Sequence, residues 1–375
     1  MSIAVQPDSL ASVSAETKQV KFAKCEGFMQ TLRDRIDAYF EENHLSKRDS
    51  PTMYLKTAII LTWLVSSYVG LVFWATTLPQ GALLAVSLGV AMAAVGFNVQ
   101  HDGGHGAYSK YPFINQLMAF TLDVLGGSSF IWKRTHNIVH HSYTNVTGVD
   151  GDIDLGILGR LSPHQRRFGF HRFQHFYLWF LYGFITFKWQ FRDDYMALIR
   201  GRVGETRLPF PKGMDLLVLV SGKIAFLSLA FGLPLYLHDW KYVALFFFVA
   251  SFSQGVLLSV VFQLAHCVEE ASFPLPEDGS QKIENAWAVH QVETTVDFAR
   301  GGKIATWFTG GLNYQIEHHL FPQICHIHYP ALSKIVEQTS AEYGVRYSAH
   351  PTVTAAIRSH YNWLRRMGRP DTQTA

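Results

Sequence analysis

The chain is short of charge and of cysteine. Of its 375 residues, Lys, Arg, Asp and Glu make up 16%, against about 25% in an ordinary soluble domain, while 48% are hydrophobic and 14% aromatic. A chain this poor in charge cannot clothe itself in a solvated surface, so much of it must sit in lipid. The three cysteines, Cys25, Cys267 and Cys325, are isolated and odd in number. That excludes a disulfide framework and a Cys-x-x-Cys metal site, and leaves free thiols facing a reducing compartment. No apolar stretch long enough for a signal peptide precedes Lys56. The net charge of +3 is small and its cations are scattered through loops, so nucleic acid is not expected as a partner.

What is present is apolar length. Uncharged or nearly uncharged runs cover residues 57–78, 81–100, 216–237 and 242–265, each close to the roughly 20 residues that cross a bilayer. The Lys and Arg residues divide around them: 8 precede residue 57, 13 lie between 101 and 213 and 9 follow 266. The turn Pro79-Gln80 between the first two runs has none, and Lys223 and Lys241 complete the set. By the positive-inside rule both termini and the long middle loop are then cytoplasmic. The expected fold is an all-α integral membrane protein. Four transmembrane helices would carry a cytoplasmic helical cap, built from 101–213 and 266–375, that holds a histidine-rich dimetal site. Residues 1–55 read as a cytoplasmic N-terminal segment, with 1–17 disordered and Val20 to Phe40 an amphipathic helix that either lies on the cytoplasmic membrane surface or belongs to a soluble cap without membrane contact. Residues 56–375 are the membrane domain. The shorter apolar stretches Pro112 to Trp132 and Phe176 to Phe187 read as interfacial or re-entrant. Lys223 is expected to snorkel to the headgroups.

Histidine is abundant, and its placement is not random. His101-Asp102-Gly103-Gly104-His105 opens one cluster and His136-Asn137-Ile138-Val139-His140-His141 another; Gln315-Ile316-Glu317-His318-His319 follows much later. Residues three and four apart share a helix face, so each cluster can aim its rings at one point. With His266 at the inner end of the fourth span, eight imidazoles gather at the inner helix ends. One zinc needs four ligands; eight suit two ions with open positions, and imidazole accepts iron, copper, nickel or zinc. Gln315 reads as a direct ligand, a ligand acting through water or an orienter of His318, the indirect roles being favoured, and Gln263 as a donor acting through water. Asp102, Asp150, Asp152 and Asp154 read as acceptors that hold histidines. The last three alternate like a calcium loop, but Leu155 and Leu161 occupy the positions where an EF-hand needs Gly and Glu. Asn145-Val146-Thr147 fits the glycosylation pattern on the wrong side of the membrane. His290 reads as structural, and His326 and His328 as surface residues. Lys133, Arg134, Arg160, Arg166, Arg167 and Arg172 crowd the middle loop, where they either bind headgroup phosphates or only follow the positive-inside rule.

These boxes resemble those of the membrane fatty-acid desaturase family, specifically its front-end branch, in which the third box begins with Gln. The matching stretches are Gln100 to Ser109, Trp132 to Asp154, Trp287 to Asp297 and Gly310 to Pro330. His266 resembles an additional ligand that the wider family carries at the inner end of this helix, and where that family sometimes has an Asn four residues earlier this chain has Phe262. The resemblance implies two non-haem irons held by His101, His105, His136, His140, His141, His266, His318 and His319, with dioxygen as co-substrate. The substrate would be a fatty-acyl chain on coenzyme A or a lipid, gaining a cis double bond on the carboxyl side of an existing one, the sixth carbon being favoured. The expected location is a bacterial inner membrane or the endoplasmic reticulum. No side chain can oxidise an unactivated methylene, so a metal and dioxygen must carry that step. Two external electrons are also needed. The His-Pro-Gly-Gly mark of a fused cytochrome b5 domain does not occur, which points to a separate ferredoxin or cytochrome b5. Competing readings are a lipid hydroxylase or ketolase and a metal-ion transporter. The latter fits poorly, because transporters bind near the bilayer midplane and these spans hold no acid or histidine there.

Overall fold

The computed structural model describes residues 20–23, 27–204, 206–276 and 282–370. It is mainly helical. Among the described residues four helices are long and apolar enough to cross a membrane: α2 (Pro51–Trp74), α3 (Leu78–His105), α7 (Met214–Leu237) and α8 (Trp240–His266). The others that matter for the site are α1 (Phe28–Glu42), α4 (Pro112–Val124), α5 (Lys133–His140), α6 (Gln174–Leu181), α9 (Trp287–Thr294), α10 (Gln315–Leu320), α11 (Tyr329–Glu342) and α12 (Val353–Met367). Short parallel pairings tie distant loops, Lys21–Ala23 to Lys282–Ala286 and Asp297–Phe298 to Ala349–His350.

The expected turn at Pro79-Gln80 is displaced. Thr77 caps α3 and Gln80 returns the bond in a capping box, so Pro79 lies in the first helical turn, where its missing N–H costs nothing. The turn is therefore Ala75 to Thr77. α3 and α8 run together because α3 presents glycine where α8 packs on it. A Cβ on Gly89 would stand 2.3 Å from the Ala250 carbonyl oxygen, and one on Gly81 would enter the Phe246 ring. At the far side of α8, Gly255 meets the Gly183 carbonyl at 2.4 Å from its would-be Cβ, which seats the segment after α6 against the helix. An apolar cavity of about 680 Å³ opens among the four spans, lined by Leu64, Leu88, Met92, Leu125, Phe226 and Phe247.

A stronger partner inside the protein decides two positions here, favouring the soluble-cap alternative for α1 and overturning the snorkelling expected of Lys223. α1 does not lay its stripe on lipid. Phe28, Leu32, Ile36 and Phe40 recur every fourth residue and are buried against Val292, Ile316, Val336, Tyr314 and Leu332 of the cap. Arg35 pairs bidentately with Glu342 on α11. Lys223 does not snorkel: its ammonium donates to the Gly126 carbonyl at 2.6 Å and to Asp194 at 2.8 Å, pinning the tip of α4 to α7. Cys25 and residues 1–17 lie outside the described residues.

Candidate metal centre

The first box ends α3. His101 and His105 stand one turn apart on one face and both are buried. The second box is wound differently: the His141 N–H bonds the His136 carbonyl five residues back at 3.0 Å, a wide turn of the kind often found at functional sites. The third box, α10, is buried at all six positions. It packs over the ends of the other two, and His266 arrives as the last residue of α8.

The rings fall into two lobes. Ligand nitrogens of His101, His105, His136 and His318 lie within 4.8 Å of one another, and those of His140, His266 and His319 form a second such group. His141 joins them through His318 and His319. Within the first lobe, Nε2 of His136 is 3.3 Å from Nε2 of His101 and 3.2 Å from that of His141, which is 3.0 Å from Nε2 of His318. Metal–nitrogen bonds of about 2.0–2.1 Å set donor atoms about 2.9–3.4 Å apart around one ion, so the crowding fits coordination. In the second lobe Nε2 of His140 and of His319 is buried without a partner among the described residues, as is Nδ1 of His266. An orphaned buried ring nitrogen costs free energy unless something binds it. Burial, reinforced by neighbouring imidazoles, pushes His141, His318 and His319 well below the ordinary histidine range. That keeps them in the neutral, ligating form. For His140 burial acts in the same direction, but the Asp150 carboxylate outweighs it and the net shift is upward.

Outer contacts fix which nitrogen faces inward. Nδ1 of His140 lies 3.0 Å from the buried Asp150 carboxylate, and Nδ1 of His318 is 3.2 Å from the Tyr329 hydroxyl. Nδ1 of His319 is 2.8 Å from Oε1 of Gln291, which also accepts from Thr144. Of the aspartates expected to hold histidines, Asp150 does so and Asp152 stands farther off, 3.7 Å from His140 and 3.9 Å from His136. Asp154 does not: it is exposed and accepts only from the Gly156 N–H, closing a local turn. Asp102 also faces away from the boxes. Its carboxylate meets Nδ1 of His326 at 2.9 Å, and Nε2 of His326 meets Lys56 at 2.8 Å. His326 is thus not the surface residue expected; it is 2% exposed because a buried carboxylate and ammonium need a bridging partner. His328 is partly buried against Phe40.

Gln315 sits 2.9 Å from Nε2 of His266, nearer to it than the expected role beside His318. Phe262 stacks on His266 at 4.4 Å, and Gln263 is buried with Oε1 unpartnered. His290 packs on Phe22 at 5.0 Å, outside both lobes. Asn145 is fully buried and its amide donates to the carbonyls of His266, Ser272 and Thr294, so no glycan can be carried there. Arg160 is withdrawn from the basic loop. It is 1% exposed, and its guanidinium donates to the Pro163, Gln165 and Met367 carbonyls. Gln291, Thr144, Tyr329 and Lys56 had no place in the sequence reading. Gln291 lay inside a matched stretch, Trp287 to Asp297, and that was the signal available.

The sequence profile described as Fatty acid desaturase matches residues 77–351. The chain is 42% identical over 353 residues to the sn-1 linoleoyl-lipid 6-desaturase of Synechocystis sp., covering 94% of this chain and 98% of that protein. To the sn-1 linoleoyl-lipid 6-desaturase of Arthrospira platensis it is 40% identical over 369 residues, 96% and 98% of the two chains. To the acyl-lipid (8-3)-desaturase of Physcomitrium patens the identity is 36%, over 92% and 72%.

Proposed function

Because the chain belongs to the fatty acid desaturase family, we propose that it is a front-end acyl-lipid desaturase, setting a cis double bond at the sixth carbon of a chain already unsaturated farther along. The observation that carries this reading is the two-lobed set of histidine nitrogens, buried and aimed inward. His101, His105, His136 and His318 would hold one iron and His140, His266 and His319 the other, with His141 at the junction. Gln315 would act beside His266, directly or through water. The irons supply what the side chains lack, the activation of dioxygen for removing hydrogen from two neighbouring carbons. The protein's part is then to hold and to exclude. Asp150, Tyr329 and Gln291 accept or share the outer ring protons, so that the inward nitrogens stay bare. Burial of the third box keeps bulk water away from the oxidising site.

The relatives named for linoleoyl-lipid substrates support an acyl chain esterified in a lipid rather than on coenzyme A. Front-end chemistry measures position from the headgroup, so the headgroup rests on the cap and the methyl end runs toward the spans, where the apolar cavity offers room for hydrocarbon. Both termini and the cap would face the cytoplasm, in a bacterial inner membrane or the endoplasmic reticulum, and a separate ferredoxin or cytochrome b5 would bring electrons. The test is expression in a host fed linoleate or oleate, with mass spectrometry of derivatised fatty acids. A new bond between the existing one and the carboxyl supports the reading; a hydroxylated product, or a bond only on the methyl side, rejects it. Protein purified with its metal should approach two irons per chain, and one tightly held zinc in active protein would reject the centre.

A further inference from the structure

The basic crowd seen in the middle loop is incomplete in sequence and complete in the fold. Arg160 turns inward, but the end of α12 brings Arg365, Arg366 and Arg369 to the remaining arginines. The contact is tight: Nε of Arg167 donates to the Gly368 carbonyl at 3.0 Å, and Gly368 lies so close to the His171 carbonyl that a Cβ would stand 2.3 Å from it. Arg166, Arg365, Arg366 and Arg369 are exposed. Among the described residues none of the four pairs with a carboxylate; Arg166 lies over the Phe168 ring and Arg366 over Trp363. α12 itself carries no acid, and the carboxylates packed against it bond its polar side chains rather than these arginines, Glu269 accepting from Asn362 and Glu270 from Ser359, with His350 also beside Glu270.

The inner face of the same helix leads to the metal centre. Trp363 stacks on Phe273 at 4.7 Å. One turn back, Nδ1 of His360 donates to the Cys267 carbonyl at 2.6 Å, and Cys267 follows His266 directly. Arginines on the outside and a packed, bonded route to a ligand's own backbone on the inside occur on one 15-residue helix.

We propose that the arginine face of α12, with Arg166, is the docking surface for an acidic one-electron carrier protein. The proposal rests on the desaturase reading, which creates the demand for electrons. For each double bond two reduced carriers lose one electron each. Dioxygen takes up those two electrons, two protons from solvent and the two hydrogens that leave the neighbouring carbons, and departs as two waters. Charge complementarity brings the carrier in and orients it, and the route through Trp363 and His360 explains why this face rather than another basic loop is used. An anionic lipid headgroup would satisfy the same charges but would have no use for that route.

The experiment uses the full chain in detergent with a reduced acidic [2Fe–2S] ferredoxin and its reductase as probe. The triple variant R365Q/R366Q/R369Q should raise both the Kd and the KM for ferredoxin about tenfold and flatten their salt dependence, while turnover driven by dithionite and methyl viologen is unchanged. Unchanged ferredoxin binding in the variant overturns the proposal. So does an equal loss with both electron sources together with loss of co-purifying anionic lipid, which would assign the face to the membrane. If the unmodified protein makes no olefin with either reductant the desaturase reading itself fails, and the ferredoxin Kd still tests the docking surface separately.

Discussion

Replacing Asp150 by Asn removes one charge and almost no volume, which makes it the sharpest probe of the centre. Both carboxylate oxygens accept from N–H groups: Oδ2 from His140 Nδ1 and from the Asn145 backbone, and Oδ1 from the Asp152 backbone. An asparagine has one oxygen to offer. Whichever way it turns, an N–H faces an N–H in a site where the side chain is fully buried, at a cost of about 1–3 kcal/mol for each donor left unpaired. The cost falls on the orientation of His140, because that ring loses the acceptor that holds its Nδ1 proton outward. Iron affinity should drop about 10–100-fold, equivalent to about 1.4–2.7 kcal/mol. The assay is iron per chain by mass spectrometry across a buffered ferrous series, with turnover measured alongside. The iron midpoint should shift by that factor, and turnover should return to within a few-fold once iron is saturating. Asp152→Asn, at 3.7–3.9 Å and with 37% of its side chain exposed, should shift the midpoint less than about threefold. Full iron retention in Asp150→Asn, or equal damage from both substitutions, would refute the reasoning.

Acid should weaken the fold through two buried histidines outside the boxes. Burial holds His290 and His360 down to about 4. Between about pH 6.5 and pH 4 the unfolded chain therefore binds protons that the folded chain refuses. Their contribution is complete above pH 6.5 and is lost as pH falls toward 4, by up to about 3 kcal/mol each; melting in detergent at pH 7.5, 6 and 5 that stays flat would contradict this. Arg160→Met should destabilise by at least about 3 kcal/mol, since three carbonyls lose their donor, and should do so in thermal unfolding without changing iron per folded chain. Gly106 and Gly310 both have positive φ, but only at Gly310 would a Cβ meet backbone, 2.1 Å from the Phe97 carbonyl oxygen. Gly106→Ala should cost about 1–2 kcal/mol and Gly310→Ala clearly more, and equal melting temperatures for the two would count against the packing argument.

The spans and the histidine boxes were legible because both obey short-range rules. Apolar length is a property of consecutive residues, and ligand convergence on a helix needs only spacings of three and four. The meeting of the ends of α3 and α8 could be read for the same reason, since each helix carries its histidines, His101 and His105 on one and His266 on the other, to its last turns. What could not be read depends on neighbours distant in sequence. Asp102 looked like a holder of ligands because it adjoins His101, yet a helix turns 100° per residue, and that rotation delivers its carboxylate to His326, 224 positions away. Asp154 shared the alternation of Asp150 but not its burial. Gln291 carries no mark beyond its place in the matched stretch Trp287 to Asp297, and gains a role only once His319 is laid beside it. Arg160 and Arg166 look alike in the sequence, and what separates them is the buried set of carbonyls, Pro163, Gln165 and Met367, that receives Arg160.

The clasp between α1 and α11 has a consequence for how the protein is made. α1 leaves the ribosome early with Phe28, Leu32, Ile36 and Phe40 in a row, and the surface that covers them, from Val292 to Val336, is synthesised late. α10, which closes the metal centre, belongs to that same late stretch and packs on α1 through Ile316 and Leu320. The site is therefore incomplete until α10 brings His318 and His319, and closes only when the early helix is matched by the late one. A chain that stops short of α11 would display the uncovered row of α1 as a sticky edge, a ready signal for proteolytic clearance before a half-built oxidising centre could accumulate.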